Sequence, residues 1–75
     1  MTTNSYDFPY LRAWCFMMNS APYYLQQQLD KARAERAPTD AVYCGVDGKW
    51  HRFSDVTSGV TRFTIENILD QRGLR

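Results

Sequence analysis

Apolar positions recur with a helical period near both ends of this chain and crowd together in its middle. Between Phe8 and Met18 the one charged residue is Arg12, and Leu11, Trp14, Cys15 and Met18 fall at i, i+3, i+4 and i+7. That spacing puts four apolar side chains on one stripe of a helix. Tyr10 and Met17 widen the stripe, so the helix is apolar around much of its circumference. Such a helix is expected at the centre of a fold, or with a second face against a partner. Asp7 stands where an N-cap belongs, and Pro9 suits a first helical turn.

The residues NSAP at 19–22 break the pattern. Ser20 is the expected cap of a second helix that carries Pro22 in its first turn and runs to about Ala37. Leu25, Leu29 and Ala32 form its thin apolar stripe. Lys31, Arg33 and Arg36 gather near its C-terminus, where the helix dipole favours positive charge, and Arg33 and Arg36 read as a solvated face. The short connection predicts an antiparallel αα-hairpin. Pro38 and Asp40 then mark a loop.

In AVYCGVDGKWHRF, Asp47-Gly48 lies between two β-prone runs. Asp-Gly favours a two-residue type I′ turn, in which both central residues take positive φ. This predicts a β-hairpin over about 41–54 with Asp47-Gly48 as its turn. The register then pairs Cys44 with His51, Tyr43 with Arg52 and Val42 with Phe53. One face carries Val42, Cys44, Val46, His51 and Phe53, and the other Tyr43, Trp50 and Arg52. A lone two-stranded ribbon is marginal, so it must pack on helices, gain a strand or pair across a dimer.

The last segment predicts a helix with Ile65, Ile68 and Leu69 as apolar positions, Ser58 or Thr61 as cap, Arg72 in the last turn and Gly73 as the residue that ends it. Residues 54–60 read equally as loop, helical turn or edge strand. The expected fold is therefore a single small α+β domain over residues 1–75: an αα-hairpin, a β-hairpin and a C-terminal helix, with residues 1–6 flexible. The expected core sets Leu11, Trp14, Cys15 and Met18 against Leu25, Leu29, Phe53, Ile65, Ile68 and Leu69.

Charge changes this picture little. The 75 residues carry a net charge of +1 with both signs interspersed. A duplex-binding protein shows a clustered basic face, and a DNA mimic a strongly acidic one; neither field is present. MTTNSYDF has no basic or apolar signal region, and the longest apolar run, Ala13 to Met18, falls far short of the roughly 20 residues that span a bilayer. The expectation is a cytoplasmic protein with reduced cysteines and no membrane partner.

Chemistry is sparse. The two cysteines and one histidine cannot complete a structural zinc site of four ligands. No metal and no cofactor is expected. Cys44 and His51 are neighbours through the hairpin register, and a nucleophile pair would also need an orienting group and an oxyanion site. No third residue is placed for those roles, so Cys44 reads as a small buried hydrophobe whose reactivity stays open. No catalytic residue is assigned, and the chain is expected not to be an enzyme.

Aromatic content is high. Two Trp, five Tyr and four Phe make up 15% of the chain. A core this small does not readily enclose that many rings, and rings left at the surface favour an interface. The protein-binding candidates are Tyr6, Tyr10, Tyr23, Tyr24, Tyr43 and Trp50, with Arg52. Tyr23 and Tyr24 lie about 100° apart on a helix, so one can enter the core while the other stays near its edge.

One segment carries a resemblance. In GVTRFTIENIL, residues 59–69, Gly59, Val60, Thr61, Thr64, Ile65 and Ile68 resemble the second half of a helix-turn-helix. The resemblance implies Thr61, Arg62, Thr64 and Asn67 as groove-facing residues. Ser54 and Asp55 stand where that family places apolar and small residues, and Glu66 and Asp70 add negative charge.

These observations lead to three expectations. The first is a non-enzymatic protein-binding module, a regulator or inhibitor of bacterial or phage type that masks a surface on a larger protein. By size and composition alone, anti-CRISPR and similar anti-defence proteins are analogous. The second is a small DNA-binding regulator that uses residues 59–69. The third is a homodimeric structural component of an assembly.

Overall fold

The computed structural model of the protein describes residues 7–74. The segment expected to be flexible, residues 1–6 with the candidate Tyr6, lies outside the described residues. The elements follow the expected order of helix, helix, hairpin and helix: α1 (Pro9–Met17), α2 (Pro22–Ala34), β1 (Ala41–Cys44), β2 (Trp50–Arg52), a 3-10 turn (Phe53–Asp55) and α3 (Gly59–Gln71). The result is a small α+β fold whose described residues hold one two-stranded antiparallel sheet.

α1 is the centre, packed against α2, β1 and α3. Its apolar circumference serves two cores. On one side Phe8, Leu11 and Cys15 meet Leu29 and Ala32 of α2, with Ala37 and Ala41, and Leu25 and Trp50 cover them. On the other side Ala13 meets Val42, Ile65, Leu69 and Leu74, with Trp14, Tyr43, Phe53 and Ile68 packed around them. Leu11, Val42, Ile65 and Leu69 are fully buried. Each such side chain contributes on the order of 1.5–3 kcal/mol by leaving water. Met18 departs from the expected core: it follows the last residue of α1, beyond both clusters, and is 56% exposed.

The ends of α1 and α2 differ from the expected residues by one to three positions. Phe8, not Asp7, is the N-cap of α1, and Pro9 occupies the first position without any side-chain cap. Asp7 instead accepts from Arg33 Nε at 3.1 Å, tying the start of α1 to α2. Ala21, not Ser20, precedes α2, and the helix stops at Ala34 rather than Ala37. Ser58 does cap α3, accepting the Thr61 N–H at 3.3 Å.

All three helices close in the same way. Asn19, Arg36 and Gly73 adopt left-handed backbone, with φ of 54°, 55° and 62°. The next N–H then returns to the carbonyl five residues back: Ser20 to Cys15 at 3.0 Å, Ala37 to Ala32 at 2.9 Å and Leu74 to Leu69 at 3.0 Å. This is the Schellman closure, which satisfies carbonyls that a helix end leaves open. Ala37 and Leu74 are also buried, so each closure seats an apolar side chain in a core.

The hairpin forms, but in another register. Gly45 N–H donates to Lys49 O at 2.9 Å and Gly48 N–H to Gly45 O at 3.0 Å. The loop is therefore three residues, Val46, Asp47 and Gly48, with only Gly48 at positive φ. That is a type I turn followed by a left-handed glycine, not the two-residue type I′ turn. The slip puts Tyr43 opposite His51 and Cys44 opposite Trp50, so the expected Cys44–His51 pair is not formed. A register irregularity between Ala41 and Tyr43 lets adjacent Val42 and Tyr43 both reach the second core. Pairing ends at Arg52, earlier than expected, because the 3-10 turn follows at once and Asp55 accepts the Arg52 N–H at 3.0 Å. Residues 54–60 thus divide between the 3-10 turn, extended backbone and the first turn of α3.

Candidate functional site

Among the described residues the candidate rings occupy different settings, with Tyr24 and Tyr43 lining one cleft. Tyr23 and Tyr24 begin α2, where the helix overhangs the first core, whose α2 contribution is Leu29 and Ala32 with Leu25 at its margin. Both rings are exposed, at 71% and 45%, and neither enters the core as one of them was expected to do. Exposed Met18, at the end of α1, precedes them across the short α1–α2 connection. This corner of the αα-hairpin presents three large apolar side chains within seven residues of chain.

The other candidates are held by partners. The Tyr10 ring lies 4.8 Å from that of Phe53. Trp50 covers the first core and donates its indole N–H to Glu35 Oε1 at 2.8 Å. The Arg52 guanidinium pairs with the Asp40 carboxylate at 2.9 Å. Tyr43 stacks on Trp14 of α1 at 4.9 Å and on its cross-strand partner His51 at 4.6 Å, with the last two rings within 7° of parallel. Offset stacks of this kind add about 0.5–1.5 kcal/mol beyond their buried area.

Gly45 makes room for that stack. A Cβ there would come within 2.7 Å of His51 Nε2 and 2.8 Å of Asp47 Oδ1. Only a residue without a side chain lets the imidazole keep its place.

Two clefts flank the Trp14–Tyr43 stack. One, of about 230 Å³, lies against residues 55–58 and Thr61. The other, of about 300 Å³, opens between α1, the start of α2 and β1 and is lined by both cysteines. Cys15 is buried, and burial pushes its thiol above the usual range, against weaker pulls downward from the Ser20 hydrogen bond and the Arg12 charge. Cys44 is half-buried, its Sγ 3.7 Å from the Gly45 carbonyl oxygen. Both thiols are free. Among the described residues, no three His, Cys, Asp or Glu side chains come together as a metal site.

The four residues that the helix-turn-helix resemblance implies, Thr61, Arg62, Thr64 and Asn67, all lie on α3. Residues 50–55 form β2 and the 3-10 turn, where that motif needs its first helix. Arg62 Nη1 donates to the carbonyls of Phe53 and Val56, both at 3.0 Å, and its guanidinium lies 4.3 Å over the Phe53 ring. Its charge is committed to holding the turn before α3. Thr64 Oγ1 donates to Val60 O at 2.9 Å, Thr61 lines the smaller cleft and Asn67 is half-buried.

Sequence reasoning missed a second apolar pair. Val60 and Phe63 stand one turn apart on α3, and Phe63 is 67% exposed. Phe63 precedes buried Ile65 by two positions, about 200° around a helix, so its outward direction was readable from the period.

Comparison with protein-family models, with curated proteins and with solved structures finds no match for this chain. Among the described residues no helix is long and apolar enough to cross a membrane.

Proposed function

We propose that this chain is a non-enzymatic protein-binding module of bacterial or phage type, which acts by covering a surface on a larger protein. The observation that carries the reading is the αα-corner, where Tyr23, Tyr24 and Met18 stand exposed beside a well-packed core. Tyrosine brings 150–250 Å² of rigid contact area with few rotamers to freeze, which is why it concentrates at binding hot spots. The near-neutral, interspersed charge favours a partner recognised by apolar contact over one recognised by a phosphate backbone. The commitment of Arg62 to the turn before α3 weighs in the same direction. The reading extends to a cytoplasmic location, where both free thiols stay reduced.

The test is affinity capture from bacterial lysate, divided into nuclease-treated and untreated halves. The expected result is a stoichiometric protein retained in both halves and lost when Tyr23 and Tyr24 are replaced by serine. Retention of nucleic acid alone, abolished by nuclease and by moderate salt, overturns the reading in favour of DNA binding. Mass that rises with protein concentration and no captured partner overturns it in favour of self-assembly.

A further inference from the structure

The cleft between α1, the start of α2 and β1 collects sulfur. Of the residues that line it, Cys15, Met18 and Cys44 carry a thiol, a thioether and a thiol. Cys15 and Met18 are three residues apart at the end of α1, on one face of the chain as it leaves the helix. Cys44 reaches the same cleft from β1.

In the observed register Cys44 lies on the same face of the hairpin as the residue opposite it. Cys44 pairs with Trp50, and Trp50 packs against the core cluster that contains Cys15. In the register expected from a two-residue turn, Cys44 would have faced His51 instead. The remaining wall mixes Leu11, Trp14, Tyr24 and Tyr43 with the polar side chains of Ser20 and Gln28. The chain also holds no other cysteine.

A four-ligand zinc site is out of reach for this set, since zinc in structural sites takes four Cys or His ligands. A soft monovalent ion has different needs. Thiolate and thioether ligands select Cu(I), which accepts two or three sulfurs and needs no fixed tetrahedron. We propose that Cys15, Cys44 and Met18 form a binding site for one soft monovalent cation, Cu(I) or its analogue Ag(I), inside this cleft. Each thiol binds as a thiolate and gives its proton to solvent. The ion would join α1 to β1, with Met18 on the exposed side of the cleft.

The experiment is an anaerobic titration of the reduced full chain with Cu(I), in competition with a chromogenic Cu(I) chelator, and a parallel titration with Ag(I). The expected result is one ion per chain on a particle of monomer mass. Cys44→Ser should raise the dissociation constant about 100-fold or more, the scale on which two linked ligands exceed one. Met18→Leu, at an exposed position that leaves folding intact, should weaken binding several-fold. His51→Ala should leave it unchanged, because His51 lines the other cleft. Unchanged affinity in Cys44→Ser overturns the site, as does one ion per two chains on a particle of dimer mass. Unchanged affinity in Met18→Leu overturns the three-sulfur arrangement even if Cys44→Ser fails to fold.

Discussion

Arg36 ends α2 in left-handed backbone, with φ of 55°. For a residue with a Cβ this conformation costs roughly 1–2 kcal/mol, because the Cβ crowds the following carbonyl. Glycine adopts it freely, at the expense of about 0.5–1 kcal/mol of extra chain entropy in the unfolded state. Arg36 is exposed, so its side chain gives up little packing when removed. The closing bond from Ala37 N–H to Ala32 O uses only backbone and survives the change. Arg36→Gly is therefore expected to stabilise the protein by about 0.5–1 kcal/mol, with a rise in Tm of roughly 2–8 °C for a domain of this size. Gly73→Ala, at φ of 62° in the matching position of α3, should lower stability by about 1 kcal/mol. Urea unfolding followed by circular dichroism reads both changes, and equal slopes confirm that the unfolded states are comparable. A stability for Arg36→Gly equal to or below wild type would refute the claim that the left-handed closure of α2 is strained at Arg36.

Three further outcomes follow from the packing. Gly45→Ala forces His51 off the Tyr43 ring, since its Cβ would lie 2.7 Å from Nε2; a loss of about 1 kcal/mol is expected, with the His51 ring protons losing their upfield shift in NMR. Leu69→Ala empties a fully buried position between α1 and α3 and should cost about 3 kcal/mol in urea unfolding. Burial holds the Cys15 thiol above its ordinary value of 9.0, so the folded state keeps its proton to higher pH than the unfolded state does. Stability should then be unaffected by this group below pH 9.0 and fall as pH rises through the raised value, and that extra fall should vanish in Cys15→Ala.

The order of elements was legible because periods of 3.6 and 2 leave different traces, and Leu11, Cys15, Leu29, Ile65 and Leu69 all occupy the buried positions expected of them. The hairpin register was not legible. Asp-Gly suits both a two-residue turn and the last two positions of a three-residue turn, and tertiary contacts decide between them. Here Trp50 gains Glu35 and the first core, while Tyr43 gains Trp14 and His51. The caps of α1 and α2 each fall one position later than expected, because Asp7 and Ser20, although good cap types, have other side-chain partners: Arg33 for the Asp7 carboxylate and the Cys15 thiol for Ser20. Exposure at the αα-corner depends on where α2 runs past its core, and no local pattern encodes that. Phe63 is different, since its direction follows from the spacing to Ile65.

The most direct measurement of the central claim is the affinity of the captured partner for wild type and for a variant with Tyr23→Ser and Tyr24→Ser. Both rings are exposed, so the melting temperature should stay the same. The account predicts a loss of at least 2 kcal/mol of binding, about 30-fold in Kd, as expected of hot-spot tyrosines. Equal affinity for the two proteins would contradict it and remove the αα-corner as the binding surface.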